Sequence, residues 1–67
     1  MVLDRRWERA VTAYGEVRIK VGRWDGQDLK AAPEYDDCVE LARRADVSVA
    51  EIQSAALIAW RRHSQDE

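Results

Sequence analysis

Sixty-seven residues with eleven Lys/Arg, thirteen Asp/Glu and a net charge of −2 allow one small domain and argue against a nucleic-acid partner. A hydrophobic content of 46% beside 36% charged residues excludes a disordered tail, and a single cysteine excludes an internal disulfide. No apolar run reaches the ~20 residues of a membrane span and Met1 to Arg6 lack a signal-peptide stretch, so the chain reads as cytoplasmic, with no membrane partner and a reduced Cys38.

A chain below roughly 70–80 residues rarely builds a core worth more than ~3–5 kcal/mol, and no Cys/His spacing suggests a zinc staple. Self-association, or docking on a larger partner, is the expected source of further buried area. The charge is uneven. Residues 1–30 carry seven Lys/Arg against five Asp/Glu, and residues 31–67 carry four against eight.

In chain order, the pattern first alternates and then, after Pro33, recurs at helical spacing. A first strand is expected over about residues 5–12, with Trp7, Val11 and Ala13 on the odd, inward parity and Arg9 as an exception. A second, over about 16–22, alternates strictly, with Val17, Ile19 and Val21 on one face. A three-residue loop, Ala13-Tyr14-Gly15, would oppose Val11 to Val17 and Trp7 to Val21, with Gly15 as its left-handed residue. The same logic at Trp24-Asp25-Gly26 opposes Val21 to Leu29 and Ile19 to Ala31, giving a third strand over about 27–32. Trp24, in that loop, is a plausible contact residue.

Pro33 suits the first position of a helix over about 33–45, whose apolar stripe is Tyr35, Cys38, Val39, Leu41, Ala42 and Ala45. Cys38 on that stripe reads as core. Ser48-Val49-Ala50-Glu51 is a capping box, with Val47 and Ile52 as a hydrophobic staple, so a second helix is expected over about 49–63. His63 then sits where the helix dipole favours a cation. The run Ala55-Ala56-Leu57-Ile58-Ala59-Trp60 is apolar all round, which points to a second covered face and another chain. The fold class expected is α+β, a three-stranded antiparallel meander followed by two helices.

Two charged groups stand out. The even sheet positions would bring Glu8 beside Lys20 and Lys20 beside Lys30, with Arg18 two residues away. This is either a solvated face or a phosphate cradle. Directly behind Pro33, Glu34, Asp36 and Asp37 suit a helix's first turn through its dipole. Glu34 and Asp37 also share a face, as two oxygen ligands for magnesium or manganese would. No Ser/His/Asp, Cys/His or glycine-rich phosphate loop is present.

Thr12-Ala13-Tyr14-Gly15, the strand Val17-Arg18-Ile19-Lys20 and the block Pro33-Glu34-Tyr35-Asp36-Asp37-Cys38 together resemble the tail of LarC-type nickel insertion proteins. The resemblance runs from about Arg5 to Ala59. It implies a family that inserts nickel into a pyridinium bisthiocarboxylate mononucleotide, completing the nickel-pincer cofactor of lactate racemase and consuming CTP. Nickel would be the substrate metal, and Mg2+ or Mn2+ would accompany CTP. It further implies CTP–metal binding and trimer-based homo-oligomers in this region. By that resemblance Arg18, Lys20 and Tyr35 are nucleotide-binding and Glu34 and Asp37 metal-binding; Lys30 joins the nucleotide group on register alone. Ala13 replaces the family's usual Pro and Asp36 its usual Glu. The upstream stretches of the family, Asn-Ile-Asp-Asp and Met-Lys-Lys-Gly-Arg-Pro, are not in these residues. Nickel insertion is therefore not expected from this chain alone, and a separate chain could carry the missing region. The rival expectation is a structural self-association domain with no small ligand.

Overall fold

The structure, a computed structural model, describes the backbone of residues 4–24 and 27–65 and the side chains of residues 5–23 and 30–63. Its elements are β1 (Asp4–Thr12), β2 (Gly15–Trp24), β3 (Gln27–Pro33), α1 (Tyr35–Ala45) and α2 (Val49–Gln65). The strands form an antiparallel sheet in the order β1-β2-β3, followed by two helices, so the α+β meander expected from the sequence is present.

The alternation of β2 positions the core. Val17, Ile19 and Val21 are fully buried on one face of the central strand. Cys38, Leu41 and Ala42 of α1, and Ile52 and Ala56 of α2, close over them. Both helices thus cover the same side of the sheet, and among the described residues nothing covers the other. No helix among these residues is long and apolar enough to cross a membrane.

The first hairpin corrects the expected register. Its loop has two residues, Ala13 and Tyr14, and Thr12 pairs with Gly15. Ala10 therefore faces Val17, Glu8 faces Ile19 and Arg6 faces Val21. Because strand faces alternate, this one-residue difference turns every β1 side chain over. Trp7 and Val11, expected inside, lie on the open face, 54% and 73% exposed. Glu8 is opposite a core residue rather than beside Lys20. The Thr12 hydroxyl explains the short loop. It accepts from the Tyr14 and Gly15 amides and donates to the Gly15 carbonyl, closing the turn with a side chain. Gly15 is still required, since its φ is +134° and an added Cβ would stand 2.9 Å from Leu41 Cδ2.

The second hairpin also differs from expectation. Trp24 pairs with Gln27, and a bulge between Gly22 and Arg23 shifts the rest, so Val21 faces Ala31 and Ile19 faces Pro33. Asp25, Gly26 and the side chain of Trp24 lie outside the described residues, and with them the proposed contact role of Trp24. Lys20 therefore faces Ala32, while Lys30 faces Gly22. The two lysines are diagonal rather than directly opposed, which removes the expected like-charge clash.

Pro33 is the last residue of β3 rather than the first of α1. Glu34 is the N-cap in extended conformation, and its amide donates to the Arg18 carbonyl at 2.8 Å, so pairing with β2 continues one residue past the strand. α1 ends at Asp46, in left-handed conformation at φ 57°. Tyr35 and Ala45 are exposed, which narrows the buried stripe to Cys38, Leu41 and Ala42. The capping box is half formed. The Glu51 amide donates to Ser48 Oγ at 3.1 Å, but the Glu51 carboxylate accepts from the Tyr14 hydroxyl, tying the first turn to α2.

Candidate functional site

The inverted β1 gives the open face of the sheet its character. One cross-strand row is Trp7, Lys20 and Ala32; the next is Arg5, Gly22 and Lys30. On the other side of Trp7 lie Arg9 and Arg18, which pair with each other. Four cations thus surround one exposed indole, and a fifth, Lys30, lies beyond Gly22 on the same face. The Arg18 guanidinium is 5.7 Å and the Lys20 amine 5.9 Å from the ring centroid, within cation–π range. Glu16 offsets Arg9 at 3.2 Å, at the turn end of the sheet.

Arg18 is where this face meets the acidic start of α1. Its Nε donates to Asp37 Oδ2 at 3.0 Å and its Nη2 to Asp37 Oδ1 at 3.1 Å. The Arg18 backbone amide donates to Asp37 Oδ2 as well, also at 3.0 Å. β3 ends opposite Ile19, so Arg18 has no strand neighbour on that side. The Glu34 amide and the Asp37 carboxylate take the two backbone groups that a longer strand would have paired. The hydrogen bond from the Arg18 side chain, helped by the Arg18 amide and charge, holds the Asp37 carboxyl below the usual carboxylate range, against the opposing effect of burial. The same bond holds the Arg18 guanidinium more firmly protonated than usual.

The residues singled out from sequence therefore fall as follows. Arg18, Lys20 and Lys30 share the open face, and Asp37 reaches its edge through Arg18. Glu34 lies one position before α1 with no capping role for its side chain. Tyr35 is 61% exposed at the first position of the helix. What the sequence separated into a phosphate group and a metal group is here joined by the Arg18–Asp37 ion pair. Among the described residues no cluster of three or more His, Cys, Asp or Glu side chains is arranged to hold a metal ion.

The fit of Glu34 and Asp37 to a divalent cation is thus conditional. A carboxylate offers about four lone-pair directions, and Arg18 takes three of those of Asp37. One direction on Oδ1 remains for a cation. A guanidinium beside it would repel that cation unless an anion lay between them. A cation here would have to bring further ligands of its own, such as phosphate oxygens, because these residues alone supply too few.

Cys38 behaves as core. It is fully buried, and burial, reinforced by the Asp37 and Glu34 charges, raises its thiol pKa away from reactivity. Trp7, like Val11, was expected in the core and lies on the open face instead. Its signal was present in the residues that share its face, Arg5 and Arg9, charges that a buried strand face rarely carries.

Comparison with known proteins places this geometry in a family. The family model described as nickel insertion protein matches residues 1–53. Relatives provisionally named nickel insertion proteins include one from Gloeobacter violaceus, 43% identical over 98% of this chain, and one from Nostoc sp., 44% identical over 88%. The chain spans only 16% and 15% of the length of these two relatives. Among solved structures, the apo C-terminal domain of LarC, described as a cyclometallase involved in synthesis of the NPN cofactor of lactate racemase, superposes with a TM-score of 0.81. That match is 31% identical and covers 91% of this chain and 42% of the other. The chain belongs to the nickel insertion protein family, as the resemblance of its Pro-Glu-Tyr block implied.

Proposed function

We propose that this chain is a nucleotide–metal binding and oligomerisation module related to nickel insertion in nickel-pincer cofactor synthesis, working in the cytoplasm and taking CTP with Mg2+ or Mn2+. Lys20 and Lys30, with Arg18, neutralise the polyphosphate, and Tyr35 borders it. Glu34 and Asp37 hold the divalent cation, which when bound neutralises phosphate oxygens. Nickel is the substrate of the whole protein. Its insertion needs segments that the relatives carry beyond this region, on the same chain or a separate one.

The observation that carries this reading is the Arg18–Asp37 contact, which brings the cationic sheet face and the acidic helix start to one edge. Calorimetric titration with CTP and Mn2+ should give saturable binding that Lys20→Ala and Asp37→Ala both weaken. Absence of heat with any nucleoside triphosphate and either metal defeats the reading.

A second reading, self-association without a small ligand, is supported by Ile58. It is 49% exposed in the middle of the apolar run of α2. A trimer-based homo-oligomer would cover it. Under this reading the assembly melts at the same temperature with or without CTP and metal.

A further inference from the structure

The open sheet face carries a feature that the polyphosphate reading leaves unused. β1 is amphipathic the wrong way round: its large apolar side chains, Trp7 and Val11, face outward, while Glu8 and Arg6 face the helices. Such a local violation of patterning is expected where a surface has a task other than folding.

Its surroundings define what it suits. Trp7 is flanked by Arg5 and Arg9 on its own strand, faces Lys20, and has Arg18 diagonal to it. Beyond Lys20 the row ends in Ala32, and the next row has Gly22 at its centre and Lys30 at its end. Small residues thus leave a low floor between the indole and Lys30. A flat aromatic platform, a shallow floor and cations at both ends complement a ligand that is planar and apolar at one end and polyanionic at the other. That is the chemistry of a nucleotide.

The geometry points to Trp7 as the base platform of a nucleotide site on the open face of the sheet. The base stacks on the indole in place of the Arg18 and Lys20 charges that lie over the ring, and the phosphates run across Gly22 and Ala32 toward Lys20 and Lys30. This rests on the nucleotide reading above and adds to it where the base lies and which residue holds it. Stacking recognises the face of a base rather than its edge, so the platform accepts pyrimidines and purines alike.

The test compares CTP with inorganic triphosphate, each with Mg2+, on the wild-type chain and on Trp7→Ala and Trp7→Phe. Base stacking on an aromatic side chain predicts that Trp7→Ala weakens CTP about tenfold. Trp7→Phe should retain most of the affinity, and triphosphate should bind all three alike. Should Trp7→Ala fold poorly, the indole N–H resonance of Trp7 in the wild-type chain, identified by its loss in Trp7→Phe, serves instead. It should shift further with CTP than with triphosphate, which reaches the indole only through Lys20 and Arg18. Equal CTP affinity in wild type and Trp7→Ala, or an unmoved indole at CTP saturation, overturns the platform and leaves the nucleotide reading intact. Equal weakening of CTP and triphosphate by Trp7→Ala also overturns it, since the indole would then support the phosphates only. A wild-type chain that binds neither ligand removes both proposals together.

Discussion

Trp60 Nε1 donates to Glu8 Oε1 at 2.7 Å, joining the later half of α2 to the helix-facing side of β1 across 52 positions of sequence. Arg6 pairs with the other oxygen of the same carboxylate. A partly buried Glu is thereby satisfied from both sides, which is what allows a polar residue opposite Ile19. Hydrogen bonds to charged groups contribute more than neutral ones, so Trp60→Phe should lower stability by about 1–2 kcal/mol. A double-mutant cycle with Glu8→Ala, read by urea unfolding, checks this; additive losses would show that the contact contributes nothing of its own.

The Arg18–Asp37 pair predicts a pH dependence with a definite sign. Asp37 has a lowered pKa in the fold, so its contribution is complete above the ordinary carboxylate range. It is lost as pH falls below that range through the lowered folded-state value. The stability difference between wild type and Asp37→Asn should be present at pH 7 and shrink toward zero in strong acid. Thermal melts of both chains from pH 7 to pH 2 measure it, and a difference that grows on acidification would contradict the pair.

Because Arg18 already occupies most of the Asp37 carboxylate, metal and nucleotide should bind together. Mn2+ alone should produce little heat, and its affinity should rise by an order of magnitude or more once CTP is present, as a coupling of about 1–3 kcal/mol implies. Arg18→Ala should invert part of this order, strengthening bare Mn2+ binding while weakening CTP. Tight Mn2+ binding by the wild-type chain without nucleotide would contradict the conditional fit.

Ile58 lies on the exposed side of α2, so Ile58→Glu should leave the monomer's fold within about 0.5 kcal/mol of wild type. Its effect should be on assembly. Light scattering should show a shift from oligomer to monomer at equal concentration; an unchanged mass would mean that the partner surface lies elsewhere.

Central packing is the most sensitive part of so small a core. Ile19 and Ile52 are fully buried, and truncating either to Ala should cost about 2–4 kcal/mol. That is most of what a core of this size supplies, so far-ultraviolet dichroism should register a largely unfolded chain at 37 °C.

How far the sequence speaks for the fold depends on where each signal originates. The strict alternation in β2 and the Ser48–Glu51 spacing are local, and both elements appear where they were expected. β1 is different. Its face is decided by the Thr12 hydroxyl and by Trp60, and an apolar count over Trp7, Val11 and Ala13 points the wrong way. The site shows the same division. Arg18, Lys20, Glu34 and Asp37 stand out by charge and spacing, but spacing assigns Arg18 and Asp37 to different ligands. Only the end of β3 opposite Ile19 leaves the Arg18 backbone open to Asp37. Its position depends on the bulge at Gly22/Arg23, for which Gly22 inside the strand is the one local signal and does not fix how far the register shifts.

The two-residue turn at Ala13-Tyr14 has a consequence for how members of this family diverge. Inserting a single amino acid there would rotate Trp7 inward and carry Glu8 and Arg6 out to water. Composition would hardly change, yet a protein with a polar exterior and a crowded interior would result. Turn length, rather than the identity of any one side chain, is therefore the trait to compare first when asking which relatives share this surface.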